Sequence, residues 1–347
     1  MEVYLKNSVI KTDEVLYDGH DYLIYITGHK LTLHNKNTKN NKILKLNSVK
    51  YDFLNFSRIS RRFFRTNKCN LIRVNQDYVC ILRQYKIYLI DLKKHEIKKI
   101  FSTKNTRNVM SNSFNKFGNN GIIFGDYYSN PNNQDVHIYF TKNIFKEPLQ
   151  SINIQKIIKC RHIHNIQYIP EIDSIFVTTG DYDGECWILE FDNNLNIKTI
   201  HGDGTQTFRT CGIHFHKGNI YWGMDSPLSP SKIIGYEYNN RKVFFSKNLP
   251  GPCWYSVNYY GKIVLSTADE PSSLALSAGF VVFDLESKDF DTIYYFQKDN
   301  WPYIFKYGTL SLKLSECMNS LWINFEAIKG KDGKSVKIQN GDFTDVY

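Results

Sequence analysis

The sequence has 347 residues, an aromatic content of 15% and a formal net charge of +10. This length is sufficient to bury a large core, and it fits one large all-β domain as well as two ordinary domains. The chain shows no signal-peptide pattern and no apolar run that could span a membrane, and its seven cysteines lack C-x-x-C spacing. We therefore predict a cytoplasmic protein with reduced thiols and no membrane contact.

The positive charge is compatible with an acidic partner, such as nucleic acid or an anionic glycan. However, the chain is rich in Lys, Asn and Ile together, which an AT-rich coding bias produces without selection for any ligand. Only Arg58–Arg65, RISRRFFR, is a dense basic cluster. Nucleic acid is therefore not the partner that we predict.

Along the chain, short runs alternate aromatic with β-branched residues, which is typical of β-strands. Such runs include YLIYI, VCILRQYKIYLI, DVHIYF and GFVVF. Turn-forming clusters such as NPNN and FDNN interrupt the chain at short intervals, and long segments with apolar residues at helical spacing are nearly absent. The predicted fold class is all-β.

Four predicted strands end in a small residue and an acidic one, at Asp126, Asp181, Asp225 and Glu270, which are 55, 44 and 45 positions apart. Each acidic residue is followed by another strand, a polar turn and an edge-like strand. The repeat is therefore a four-stranded unit, and weaker copies precede and follow these four. Repeats of this length and composition are typical of β-propeller blades.

We therefore predict a single β-propeller domain over residues 1–347 with seven four-stranded blades. Six blades is the alternative count, because the first and last repeats are weakly marked. The opening MEVYLKN is predicted to pair with the last blade, since a propeller needs such a latch to remove free strand edges. A long β-sandwich and a β-helix are the alternative folds, although β-helix repeats are much shorter.

His162 and His164 lie two residues apart on a predicted strand, so their side chains should share a face. The next strand returns to the same end and places Asp181 beside them. In a propeller, the loop after each second strand lies at the face where the first strands begin. The acidic loops should therefore converge on one funnel with the segments that lead into the first strands, which carry Arg161, Arg209, Trp254, Tyr255 and Trp301.

The segment Ser113–Lys306 resembles the sialidase-type propellers, whose blades carry BNR or Asp-box repeats. The resemblance rests on the segments HNIQYIPEIDSIFVTTGD, WILEFDNNLNIKTI and GIHFHKGNIYWGMDSP. Asp192 keeps the aspartate of the Asp-box, whereas Asn194 replaces its glycine. The resemblance implies a carbohydrate-active protein. The propeller polysaccharide lyases, which use clustered histidines, are a second comparison.

We therefore predict a glycan-processing enzyme, either a glycoside hydrolase or a polysaccharide lyase. Its predicted partner is an oligosaccharide or polysaccharide, and an anionic glycan would suit the positive charge of the chain. Carboxylates with histidine or tyrosine supply acid–base chemistry, while aromatic faces and arginines bind sugars. The alternative is a non-catalytic propeller that binds glycans or scaffolds proteins. The predicted catalytic residues are His162, His164, Asp181, Asp225, Glu270 and Tyr255, and the predicted substrate-binding residues are Arg161, Arg209, Trp254, Asp126, Trp222 and Trp301.

Simpler structural roles stay open for these residues. His162 and His164 are candidate ligands of one divalent metal ion together with a carboxylate, because imidazoles on one strand face can share an ion. Otherwise no cofactor is expected, and the pair is hydrogen-bonded to neighbouring loops. The repeated acidic residues could equally cap turns through the backbone.

The predicted thiol state can be measured directly. Titration of the denatured protein with a thiol reagent should find all seven cysteines reactive, because a reducing compartment prevents disulfide formation. A shortfall of two or more thiols, in protein purified without oxidation, would place the protein in another compartment.

Overall fold

The structure, a computed structural model, describes residues 9–46, 52–271 and 277–343. The strands in these ranges form seven four-stranded antiparallel sheets. Each sheet follows the simple meander order that propeller blades have, with one exception described below. The protein is therefore a seven-bladed β-propeller, which confirms the predicted fold class and the count of seven.

The strands follow one another closely along the chain. In chain order they are β1 (Val9–Lys11), β2 (Glu14–Asp18), β3 (Tyr22–Thr27), β4 (Lys30–Asn35), β5 (Asn41–Lys45), β6 (Asn70–Arg73), β7 (Tyr78–Arg83), β8 (Lys86–Asp91), β9 (Glu96–Ser102), β10 (Asn115–Phe117), β11 (Gly121–Gly125), β12 (His137–Thr141), β13 (Gln150–Asn153), β14 (His162–Ile169), β15 (Ser174–Gly180), β16 (Cys186–Phe191), β17 (Ile197–Gly204), β18 (His214–His216), β19 (Asn219–Gly223), β20 (Lys232–Glu237), β21 (Lys242–Asn248), β22 (Cys253–Tyr259), β23 (Lys262–Thr267), β24 (Ala278–Asp284), β25 (Asp289–Phe296), β26 (Thr309–Leu314), β27 (Ser320–Glu326) and β28 (Lys334–Gln339).

The helices are short. The described residues contain the α-helix α1 (Arg58–Phe64) and the 3₁₀ helices Asp52–Phe56, Ile154–Lys156, Pro170–Ile172, Gln206–Phe208 and Tyr303–Phe305. Ser57 caps the start of α1 by accepting a hydrogen bond from the Ser60 amide, and Arg65 ends it in the left-handed conformation. Among the described residues, no helix has the length and apolar character needed to cross a membrane.

The chain divides into two compact units. Unit one, residues 1–68 and 254–347, contains the blades β2–β5, β22–β25 and β26–β28, and unit two, residues 69–253, contains the other four. In unit one, β1 pairs with β28 and completes the last blade as its fourth strand. The predicted latch, residues 1–7, lies outside the described residues, and the described latch is formed by residues 9–11.

The blades of unit two pack through apolar side chains that alternate along each strand. Ile163, Ile166 and Val177 belong to one buried cluster, and Phe176, Ile188 and Trp222 belong to the next. Close packing requires glycine at the end of β11, because a Cβ on Gly125 would lie 2.6 Å from the Cβ of Ile163. None of the seven cysteines, which all lie in the described ranges, forms a disulfide, and six of them are buried.

Glu190 on β16 is a buried carboxylate inside this packing. It accepts hydrogen bonds from Ser174 Oγ at 2.7 Å and Tyr238 Oη at 2.9 Å, and its oxygens lie 2.8 Å from Lys198 Nζ and 3.2 Å from His201 Nε2. Burial opposes ionisation, but Lys198 and the other donors outweigh it and lower the pKa of Glu190 to about 2. The carboxylate is therefore ionised and fully paired at neutral pH.

We expect Glu190→Gln to lower the free energy of unfolding at pH 7 by about 3 kcal/mol, because the stabilised carboxylate is lost. Since the folded pKa is depressed, this contribution is present above pH 4.5 and disappears as the pH falls toward 2. Urea unfolding at several pH values measures the difference. Glu171→Gln, an exposed change in the turn of the neighbouring hairpin, is the control. A difference that stays constant down to the acid limit would contradict the assignment.

Candidate functional site

The two histidines lie at the start of β14, where this strand pairs with the end of β15. His162 is opposite Gly180, and a β-bulge between Ile163 and Asn165 leaves His164 out of the regular pairing. Bulges re-aim side chains, and here the two imidazole rings lie 4.9 Å apart at their centroids. Both histidines are buried. The two side chains thus lie together at the start of β14, with a bulge between them that the strand pattern did not predict.

Asp181, which directly follows β15, joins the two histidines to an arginine. Its Oδ1 atom lies 3.3 Å from His164 Nε2, 3.5 Å from His162 Nε2 and 3.0 Å from Arg209 Nη2. Arg209 ends the 3₁₀ helix Gln206–Phe208 and also donates from Nη1 to the backbone oxygen of Asp181 at 2.8 Å. Three side chains predicted from sequence thus meet at the carboxylate of a fourth, Asp181.

Asp225 continues this group on the far side of His164. Its Oδ2 atom lies 3.5 Å from Arg209 Nε and 3.8 Å from His164 Nδ1, and it accepts a hydrogen bond from Cys211 Sγ at 3.4 Å. We call the six residues His162, His164, Asp181, Arg209, Cys211 and Asp225 the histidine cluster. The sequence patterns did not identify Cys211 as a site residue, although it lies two positions after the predicted site residue Arg209.

The charges of the histidine cluster are arranged as compensating pairs. Burial alone would raise the pKa of Asp181, but His162, His164 and their hydrogen bonds hold it well below its usual range. Burial lowers the pKa of His164, and it raises the pKa of the Cys211 thiol well above its usual range. Asp181 is consequently ionised at neutral pH and cannot serve as the protonated acid that a glycoside hydrolase needs.

The side chains of the remaining predicted residues of unit two have partners outside this cluster. Asp126 is fully buried and caps its own hairpin, accepting hydrogen bonds from Thr106 Oγ1 at 2.7 Å and the His137 amide at 3.0 Å. Trp222 is also fully buried and donates to the Thr207 oxygen, so its ring offers no face to a sugar, contrary to the predicted binding role. Arg161 lies 3.5 Å from a Glu185 oxygen.

The other predicted residues belong to unit one. Tyr255 is buried, Trp254 is half-buried, and Trp301 is exposed. At the end of β23, Asp269 accepts a hydrogen bond from Tyr303 Oη at 2.8 Å, one position before the predicted Glu270. Trp254 lies beside a second group of charged residues, because Lys306 Nζ is 5.6 Å from its ring centroid.

This second group, which we call the lysine cluster, consists of Glu14, Lys68, Lys306 and Glu326. Glu326 Oε2 lies 2.7 Å from Lys68 Nζ and 3.7 Å from Lys306 Nζ, and Glu14 accepts a hydrogen bond from Ser311 Oγ at 3.1 Å. Glu326 ends the second strand of its blade, as Asp181 nearly does in another. The repeat pattern did not include Glu326, because no small residue precedes it. Its position at the end of a predicted strand was the signal that could have identified it.

Burial strongly affects this cluster. It lowers the pKa of Lys306 to about 7, which the neighbouring Glu326 only partly offsets, and it raises the pKa of Glu14. The pKa of Glu326 is held well below its usual range, because Lys68 and Lys306 outweigh the effect of burial. The charge of Lys306 is therefore set to change near neutral pH.

Comparisons with known proteins extend the fold assignment and nothing finer. No family model matches the sequence, and no curated protein sequence matches it. Among 952 matching chains of solved structures, one from a crystal structure of the mitotic checkpoint complex superposes with a TM-score of 0.60. The two chains share 6% sequence identity over 96% of this chain and 90% of that chain. Identity this low shows a shared fold alone.

The shifted pKa of Lys306 makes a stability prediction. The folded protein releases this proton near pH 7, while the unfolded chain holds it to about pH 10.5, so the free energy of unfolding should rise as the pH increases above 7. We expect a gain of about 2 kcal/mol between pH 7 and pH 9, measured by urea unfolding. The gain should be absent in Lys306→Met and present in Lys329→Met, which changes an exposed lysine. Equal slopes in all three proteins would contradict the assignment.

Proposed function

We propose that this chain is a non-catalytic β-propeller that binds another protein. The observation that carries the proposal is an exposed apolar surface on unit one, which we call the aromatic surface and which consists of Phe63, Phe64, Trp301, Tyr303 and Ile304. Exposed patches of large apolar side chains mark interaction sites, and aromatic residues are enriched in the cores of protein interfaces.

The aromatic surface is continuous and ordered by its own contacts. Phe63 at the end of α1 lies 4.8 Å from Phe64 and 5.3 Å from Phe305, measured between ring centroids. Phe305 in turn lies 5.3 Å from Trp301, so it joins the helix to the segment before β26. Ile304 is 69% exposed on the same segment. Such an amount of exposed apolar area is costly unless a partner covers it.

The arginines of α1 hold this surface in place instead of facing solvent. Arg58 Nη1 and Arg61 Nε each lie 2.7 Å from a carboxylate oxygen of Asp13, and Arg62 Nη1 lies 2.5 Å from Asp299. Arg62 is almost fully buried. Because three arginines of RISRRFFR are engaged in internal ion pairs, the segment is poorly suited to neutralise phosphates, and a protein partner is favoured over nucleic acid.

A cavity beside the aromatic surface provides an anchor position. It has a volume of about 440 Å³. Its lining includes Arg58, Ile59 and Arg62 of α1, and Asp299 and Trp301 of the segment before β26. Interfaces place their most important side chains in such pockets. The partner segment that fits best therefore carries large apolar side chains that pack against the aromatic surface.

A glycan-processing enzyme is the weaker candidate. A hydrolase requires a protonated and an ionised carboxyl group across the cleaved bond. Asp181 is tied to two histidines and an arginine, and Trp222 and Asp126 are buried. The protein-binding role depends on none of these residues and rests on exposed side chains of unit one.

The proposal is tested with a photo-crosslinking residue placed at Ile304 or, as a control, at Tyr295, which is 55% exposed on β25 of the same unit. Illumination in cells should yield a discrete protein adduct from position 304 and not from position 295. The adduct is identified by mass spectrometry, and the partner is then purified.

Calorimetry with the purified partner makes the test quantitative. The double variant Phe64→Ala/Ile304→Ala should bind at least about tenfold more weakly with an unchanged melting temperature, whereas Tyr295→Ala should bind normally. Equal affinity in all three proteins would reject the aromatic surface as the contact. Adducts with nucleic acid, or with a second copy of this chain, would replace the proposed class of partner.

A further inference from the structure

The histidine cluster contains a buried imidazole nitrogen that faces a carboxylate oxygen beyond hydrogen-bonding distance. His162 Nδ1 lies 2.9 Å from the backbone oxygen of Tyr128. A carbonyl oxygen only accepts, so Nδ1 donates to it, and Nε2 is the ring nitrogen left for another partner. That Nε2 atom is buried, has no hydrogen-bond partner among the described residues, and lies 3.5 Å from Asp181 Oδ1. A buried polar atom without a partner is unfavourable, and a cation bound between Nε2 and the carboxylate would satisfy it.

His164 faces the same carboxylate, and its Nε2 atom donates a hydrogen bond to Asp181 Oδ1 at 3.3 Å. Its Nδ1 atom lies 3.7 Å from Cys211 Sγ and 3.8 Å from Asp225 Oδ2. A cation at Nε2 would replace the proton donated to Asp181 and leave the ring proton on Nδ1, on the side of the Asp225 carboxylate. Second carboxylates commonly fix the tautomer of metal-bound histidines in this way.

We propose that His162 Nε2, His164 Nε2 and Asp181 Oδ1 bind one divalent metal ion, with Zn²⁺ as the ion that matches the donors. The three residues each offer a ligand atom, and these ligand atoms all lie within 4.8 Å of one another. Tetrahedral Zn²⁺ with bonds of about 2.0–2.1 Å separates its ligands by roughly 3.3–3.5 Å. The two distances to Asp181 Oδ1, 3.3 Å and 3.5 Å, fall in that range.

Arg209 is compatible with the ion because it contacts a different lone pair. Its Nη2 atom lies 3.0 Å from Asp181 Oδ1, and a carboxylate oxygen has two lone pairs to share. Its Nη1 bond to the Asp181 backbone fixes the orientation of this residue. The nearby Asp225 carboxylate, 3.5 Å from Arg209 Nε, offsets the guanidinium charge. Arg209 is thus a positioning residue for the ligand set.

The same cluster offers a second set of donors, His164, Cys211 and Asp225, which we regard as less suitable. All three residues are buried, and the Cys211 thiol donates its proton to Asp225. A metal-bound cysteine must be deprotonated. In contrast, the Asp181 side chain is 27% exposed, so an ion can enter there and take a water molecule as its fourth ligand.

The test uses the full-length protein after dialysis against a chelator, with Zn²⁺ as the titrant in calorimetry and elemental analysis after desalting. We expect one Zn²⁺ per chain. His162→Ala and Asp181→Asn should each weaken binding more than about 100-fold, since they remove direct ligands. His137→Ala is the matched control, because His137 lies 3.3 Å from the buried Asp126 carboxylate without a second histidine.

Two further measurements keep the result interpretable. Circular dichroism of each variant in chelator shows whether it folds, and Co²⁺ substitution should give the strong visible bands of a four-coordinate site without a sulfur charge-transfer band. No Zn²⁺ uptake by the folded wild type at millimolar concentration would overturn the proposal in favour of a protonated His162 paired with Asp181. Loss of binding in Cys211→Ser with retention in His162→Ala would overturn it in favour of the second donor set. Neither outcome bears on the aromatic surface, which lies in unit one.

Discussion

The carboxylate that closes the second strand of a blade is the feature on which the surrounding loops depend. An ionised carboxylate removed from water costs several kcal/mol unless cations or hydrogen-bond donors surround it. The segment that leads into the first strand of the same blade, or of the next blade along the chain, brings those donors. Thr106 does so for Asp126, Arg209 for Asp181 and Asp225, Tyr303 for Asp269, and Lys306 for Glu326.

This requirement explains why the sequence repeats acidic residues at intervals of about 45 positions, and why that regularity indicates blades more strongly than it indicates catalysis. Catalysis needs one group whose environment differs from that of its equivalents. Asp126, Asp181 and Asp225 are instead alike, since each is paired with a donor from a segment that leads into a first strand. The blade repeat does not require the histidine pair on β14 or helix α1 with its arginines. The histidine pair supports the proposed metal site, and α1 supports the proposed protein-binding surface.

Much of the fold could be predicted because strands with alternating residues and acidic ends recur along the chain. The same alignment of repeats predicted that His162, Asp181 and Arg209 would lie near one another, since His162 and Arg209 lie near the starts of first strands and Asp181 follows a second strand. Trp222 could not be placed in this way, because periodicity gives the alternation of faces but not which face a neighbouring blade covers. Similarly, a count of arginines in RISRRFFR cannot show that Asp13 and Asp299 neutralise them from distant parts of the chain.

The pairing of β1 with β28 ties the order of synthesis to the order of folding. Val9 lies opposite Val336, so β1 has no partner until the much later strand β28 has left the ribosome. Closing so long a loop has a substantial entropic cost, and contacts between distant sequence positions slow folding. Until then, β28 lacks its outer neighbour and its edge can pair with other chains. The last blade is accordingly the one whose completion most depends on protection from aggregation during biogenesis.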